Sequence, residues 1–301
     1  MTLLDRAVSL GLPFVPKPIV RRFSKRYIAG STIDEALAVV RDLRQQGALS
    51  TIDILGEFIT RREEAARNTE DYVRLLERIH AEGITEANVS VKLSALGLLL
   101  DRQACLGHIR RLCELAAETR NFIRIDMEDS ACTSPTIEIY KTLRADFGST
   151  VGVVLQSRLR RTLRDVDEIA REPSNFRLCK GIYIEPREIA FTDPELIRRN
   201  FVLVLDRMLE LGCYVGIATH DELLVWEALR LVRQYGLDPS GYEFQMLLGV
   251  DEQLRKILIA QGHRLRVYVP FGEHWYAYSV RRLRENPQIA GYALKAMFRR
   301  A

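Results

Sequence analysis

Much that would mark a membrane, metal or disulfide-stapled protein is missing from this sequence. No apolar run approaches the ~20 residues that span a bilayer. The five cysteines (105, 113, 132, 179 and 213) form no CxxC pair and are odd in number, which suits free thiols in a reducing compartment better than a disulfide framework. Five scattered histidines show no HExxH and no ligand spacing, so no metal site is expected. No GxGxxG follows an early strand, which weighs against a doubly wound dinucleotide-binding sheet. The formal net charge is only +4, and no aromatic–basic motif accompanies the arginines dense from Arg230 onward, so nucleic acid is not an expected partner. The opening stretch MTLLDRAVSLGLPFVPKP has Asp5 before its apolar residues and prolines within them, and makes a poor signal peptide. A soluble cytoplasmic protein is expected, with room for peripheral contact with the inner face of a membrane.

What is present is a rhythm. Hydrophobic residues at 47% and charged residues at 28% describe a globular chain with a sizeable core. After amphipathic helical patterns near 3–28 and 32–46, β-rich runs recur at 50–57, 88–96, 122–129, 151–157, 176–183, 214–220, 242–249 and 266–272. Helix-patterned segments such as TEDYVRLLERIHAEG and LIRRNFVLVLDRMLELG separate them, the latter stopped by Gly212. Strand–helix alternation implies right-handed crossovers and a parallel sheet, and eight repeats imply closure into a barrel. The expected organisation is an N-terminal helical segment over 1–47 and a (βα)8 barrel with a C-terminal helix over 48–301.

In such a barrel the chemistry gathers at the C-terminal strand ends. Read in order, those ends carry Glu57, Lys92, Asp126 with Glu128, Gln156, Arg177 with Lys180, Thr219 with His220, Leu247 and Tyr268. A ring of polar and charged groups is hard to explain as structure alone, because buried charge is costly unless it pairs or binds something. Singly, each has a plainer reading. Lys92 could be a snorkelling edge residue, Lys180 a turn residue, Asp126 and Glu128 anchors for Arg124 or Arg177, and His220 a hydrogen-bonded cap. Arg281 and Arg282 point about 100° apart on a helix. They either converge on one anion or belong to a solvated basic face, with Glu285 in reach of Arg281 one turn on.

The ordered set LGE, VKLSAL, RIDMEDS, VVLQS, RLCKGIYIEP, IATHDE, YEFQMLLG, RVYVPFG and RRLREN closely resembles the proline dehydrogenase family, in its single-function bacterial form, from about residue 25 to 298. The resemblance implies a distorted (βα)8 barrel and an FAD enzyme that oxidises L-proline to Δ1-pyrroline-5-carboxylate and passes the electrons to a quinone. A pyrroline-5-carboxylate dehydrogenase is the partner implied for the product. By matching positions, Lys92, Arg281 and Arg282 would grip the substrate carboxylate. Arg177 would lie beside the flavin N5, and Asp126 would be the catalytic carboxylate. Met127, Gln156, Lys180, Gly181, Ile182, Thr219 and His220 would contact FAD. Leu247, Tyr268 and Tyr278 would pack around the proline ring, and Glu57 would pair with Arg281 as a gate.

Two positions depart from the family pattern: Arg158 stands where a tyrosine is common, and Ile182 replaces a small alanine. Neither touches the carboxylate clamp. Oxidation of hydroxyproline or another cyclic secondary amine is the neighbouring alternative. A Schiff-base aldolase using Lys92 or Lys180 is the alternative from a different class.

Overall fold

In the computed structural model, eight parallel strands close into a barrel in sequence order, β1 pairing with both β2 and β8. The structure describes Ser24 and residues 26–279, apart from 171, 173 and 277. Arg281, Arg282, Glu285 and most of the N-terminal pattern at 3–28 lie outside the described residues.

The strands are β1 (Leu49–Ile54), β2 (Ala87–Val91), β3 (Ile123–Ile125), β4 (Val151–Gln156), β5 (Asn175–Cys179), β6 (Tyr214–Ala218), β7 (Tyr242–Leu247) and β8 (Leu265–Phe271). All eight expected runs are strands, but several end early. The β2 strand turns after Val91 into a 3-10 helix (Leu93–Leu96), and β3 stops at Ile125. Both stops leave charged residues, Lys92 and Asp126, on the loops that build the mouth. The strands read as near-continuous apolar runs because a parallel barrel buries both faces; every residue of β4 is buried.

The helices are α1 (Ile33–Gln45), α2 (Arg62–Ala81), α3 (Arg102–Glu118), α4 (Ser130–Phe147), α5 (Thr162–Ile169), α6 (Pro194–Glu210), α7 (Glu222–Gln234) and α8 (Glu252–Ala260). Local chemistry starts them. Thr32 and Glu35 form a reciprocal capping box on α1. Asp193 accepts from the amides of Glu195 and Leu196 at the start of α6, with Pro194 in the first turn.

The distortion has an identifiable form. Helix α1 packs against both β1 and β8, the place that the helix after β8 fills in a regular barrel. The residues directly after β8 instead turn over the mouth, where Tyr278 is buried against Tyr27, Ile28 and Leu55. Among the described residues no helix is long and apolar enough to cross a membrane.

Candidate active site

The mouth of the barrel opens into a cavity of about 650 Å³, within the usual size of a small-molecule site. Its wall includes Lys92, Asp126, Met127, Gln156, Arg177, Lys180, Gly181, Ile182, Thr219, His220, Leu247, Tyr268 and Tyr278. Of the strand-end ring and the positions matched to the family, those among the described residues are thus brought together here, except Glu57 and Glu128.

The floor is built from charge. Arg177 Nη1 donates to Asp126 Oδ1 at 2.6 Å, and the Tyr268 hydroxyl donates to Asp126 Oδ2 at 2.9 Å. Lys92 Nζ lies 3.8 Å from that same Oδ2. The Tyr268 ring sits beneath both cations, 5.3 Å from the Arg177 guanidinium carbon and 5.9 Å from Lys92 Nζ. Arg177 and Tyr268 do not stand at strand ends, as expected from sequence, but inside β5 and β8. Their length carries them up to the layer where Lys92 and Asp126 begin.

Lys92 is no edge residue. Its ammonium donates to both oxygens of Asp53 at 2.8 Å each, and to the Tyr268 hydroxyl at 3.2 Å. Burial would lower its pKa, but Asp53 and Asp126 outweigh burial and hold it above the ordinary lysine value. An amine so held is a poor nucleophile, which argues against Lys92 as a Schiff-base lysine. All three of its N–H groups are in use. An incoming carboxylate would exchange with the Tyr268 hydroxyl, the longest of the three contacts.

Asp53 is fully buried in β1 and was not legible as a site residue. Burial raises its carboxyl, with Lys92 opposing and Asp126 adding to the rise. Gln245 was also missed. It accepts from Arg177 Nε and donates from Nε2 to Glu243 Oε1 at 2.6 Å, and Glu243 in turn receives Arg266 Nε at 2.7 Å. Burial would raise Glu243, yet Arg266 and Gln245 pull it down to about 2. This chain orients the Gln245 amide and, through it, Arg177. It needs Gly216, where a Cβ would meet Gln245 Nε2 at 2.4 Å.

A second basic feature lines one flank. Lys180 Nζ and Arg198 Nε both donate to Asp221 Oδ2, at 3.0 and 2.7 Å. Glu195 reaches Arg198 only at 3.9 Å, so the two cations converge on Asp221 with donors to spare for a phosphate. His220 accepts the Leu247 amide on Nε2 at 2.9 Å, so that nitrogen carries no proton. Gln156 Nε2 donates to the Glu128 carbonyl at 2.7 Å. Gly181 adopts φ +92°, and a Cβ there would meet Gln156 Oε1 at 2.4 Å. Apolar side chains, among them Met127, Val154, Ile182, Met246 and Leu247, complete the wall. A flat heteroaromatic ring system with an anionic tail fits this donor set.

Of the plainer readings, two are partly met: Asp126 does anchor Arg177, and His220 is hydrogen-bonded at the end of β7. Arg124 instead bonds Val153 O, Asn175 O and Asn175 Oδ1. Glu57 is half-buried three residues beyond β1, in the loop that leads to Arg61, the N-cap of α2. Its charge acts on both Lys92 and Glu128. Arg158 bonds the Tyr183 carbonyl, shaping the β5–α6 loop, and Ile182 is 43% exposed at the cavity rim.

Residues 36–293 match the family model described as Proline dehydrogenase. The chain belongs to the proline dehydrogenase family. It is 37% identical over 280 residues to a protein named Proline dehydrogenase from Deinococcus radiodurans, covering 92% of this chain and 90% of that one. To Proline dehydrogenase 1 of Bacillus subtilis it is 33% identical over 277 residues, covering 92% and 91%. Among solved structures it is similar to proline utilization A (PutA) from Bdellovibrio bacteriovorus inactivated by N-propargylglycine, with a TM-score of 0.83 and 26% identity. That match covers 89% of this chain and 33% of that one, so the chain spans about a third of the PutA polypeptide. Membership of the family implies a flavin cofactor.

Proposed function

We propose that this protein oxidises L-proline to Δ1-pyrroline-5-carboxylate with FAD as its cofactor, handing the electrons to a quinone. The observation that carries the reading is the cavity floor, where Lys92, Arg177 and Tyr268 converge on Asp126 in a chain of the proline dehydrogenase family.

Loss of hydride from the carbon beside a ring nitrogen needs that nitrogen's lone pair, so the amine must be neutral. Lys92, joined by Arg281 and Arg282 from beyond the described residues, would fix the substrate carboxylate. Fixed cations around the substrate disfavour the ammonium form and lower its pKa. Leu247, Tyr268 and Tyr278 supply an apolar wall for the small ring. FAD, when bound, accepts the hydride. Met127, Gln156, Lys180, Gly181, Ile182, Thr219 and His220 would hold it, with Arg198 and Lys180 toward the phosphates. Arg177, fixed by Asp126, Gln245 and Ser90, offers a rigid positive charge to an acceptor gaining electrons. Glu57 would close the mouth by pairing with Arg281.

The quinone, a cytoplasmic setting with peripheral membrane contact, and transfer of product to a pyrroline-5-carboxylate dehydrogenase all follow from this reading. The deciding experiment is a visible spectrum of the purified protein. Flavin bands bleached by L-proline under anaerobic conditions are expected. A colourless protein that borohydride inactivates together with a carbonyl substrate would overturn the reading in favour of an aldolase.

A further inference from the structure

We infer that Ser94 and Glu128 are positioning residues, which tether the Glu57-bearing loop to the loops that carry Lys92 and Asp126. The inference deepens the proposed reaction and rests on the reading of Glu57 as its gate.

The loop after β1 makes an unusual turn at Phe58, whose φ of +53° puts a bulky residue in the left-handed region. Such a conformation persists only where the surroundings over-determine it. Here the Phe58 amide donates to Ser94 Oγ at 2.9 Å. Ser94 belongs to the 3-10 turn directly after Lys92, and its hydroxyl proton is committed in turn to Glu128 Oε2. The other oxygen, Oε1, receives the Ser94 amide at 2.9 Å. One carboxylate therefore fixes both the backbone and the hydroxyl rotor of Ser94, leaving a lone pair of Oγ aimed at Phe58.

Glu128 lies two residues beyond Asp126 and is 1% exposed, and its carbonyl accepts Gln156 Nε2 at 2.7 Å. The series Phe58, Ser94, Glu128, Gln156 thus strings together the loops after β1, β2 and β3 and the end of β4. Glu57 is the residue next to the tethered amide. Its charge already acts on Lys92 and Glu128. A bulky left-handed residue placed beside the acid, with a buried two-oxygen clamp holding it, is an arrangement for aiming that acid. Burial of the Glu128 carboxyl costs free energy that a merely structural loop contact would not require.

The test compares Ser94→Ala, Glu57→Ala and the double variant as holoenzymes. In Ser94→Ala, hydrogen exchange across residues 55–61 is expected to quicken about tenfold, since the acceptor for the Phe58 amide is lost. The proline KM should rise about tenfold with flavin content unchanged, and Ser94→Thr should restore it. In the Glu57→Ala background, Ser94→Ala should add nothing, because Ser94 acts through Glu57. Phe58→Asn, which favours the left-handed region, should recover part of the loss in Ser94→Ala. Unchanged exchange at 55–61, or an undiminished effect of Ser94→Ala without Glu57, would overturn the tether. The exchange comparison needs no substrate, so it stands apart from the proline reading. Absence of proline turnover in the unmodified holoenzyme would instead refute that reading.

Discussion

Replacing Lys92 by methionine tests whether the cavity floor is a structural unit as well as a binding surface. Asp53 is fully buried and both its oxygens rest on Lys92 Nζ at 2.8 Å. The Tyr72 hydroxyl adds only a long contact at 3.4 Å, and the Tyr268 hydroxyl a further weak pull on the carboxyl. Lys92→Met therefore strands a carboxylate with no counter-cation. Removing one partner of a buried pair costs about 3–5 kcal/mol, a substantial share of a typical folding free energy. By the usual scaling for a domain of this size, that is a fall in melting temperature of roughly 5–15 °C.

The pH dependence carries the sign of the effect. Burial already raises the Asp53 carboxyl, and losing the opposing pull of Lys92 raises it further. A carboxyl whose folded-state pKa lies above its unfolded value stabilises fully below the unfolded value. That contribution is lost as pH rises through the folded value. Lys92→Met should thus be least damaged near pH 5 and most damaged near pH 8. Thermal unfolding of holoenzyme at several pH values, with proline turnover measured in parallel, is the assay. Asp53→Asn in the same chain should recover most of the stability and none of the substrate affinity. A Lys92→Met protein within about 1 kcal/mol of the parent at pH 7, with a parallel pH curve, would refute the reasoning.

Gly181→Ala should lower the fraction of protein purified with flavin, read from the visible-to-ultraviolet absorbance ratio, because the new Cβ meets Gln156 Oε1 at a left-handed position; Gln156→Ala should partly restore it. Gln245→Leu removes the acceptor for Arg177 Nε, and is expected to shift the flavin reduction potential and lower kcat more than it raises KM, checked by spectroelectrochemistry and steady-state kinetics. Burial pushes Glu128 up to about 7 against Ser94 and Lys92, so its contribution to stability is present below the ordinary glutamate value and is lost as pH rises through 7. Over that window about 3 kcal/mol is at stake, and Glu128→Gln should flatten the stability slope between pH 5 and 7 in denaturant titrations.

The barrel was legible because its strands obey a local rule: buried on both faces, they appear as short apolar runs, and the helices between them carry their own caps and periodicity. Lys92, Asp126 and Gln156 were legible for a related reason, since a polar residue terminating such a run falls on the catalytic face of a barrel by topology alone. Strand ends were less exact. RIDMED reads as one extended run, but β3 stops at Ile125, because from Asp126 onward the side chains find partners across the barrel rather than along a strand.

Those cross-barrel partners were the illegible part. Asp53 sits inside STIDILGE, where alternation makes it look like a residue facing away from an apolar core, and nothing within its own repeat reveals Lys92 as its counter-ion. The two are 39 residues apart and meet because Asp53 stands opposite Ser90 in the β1–β2 register, two residues before the lysine. Gln245 was hidden in the same way inside YEFQMLLG. It reaches Arg177, 68 residues away, across the space left by Gly216. The glycine in YVGIATH could not be linked with the glutamine of the next strand until the Gly216–Glu243 register was known. A charged residue inside a strand of a parallel barrel has no solvent to turn to, so it must have a partner in the barrel lumen. The rule holds for strand interiors as much as for strand ends: Asp53, Arg124, Glu243 and Arg266 each demand a partner, and together they make the polar column under the cavity.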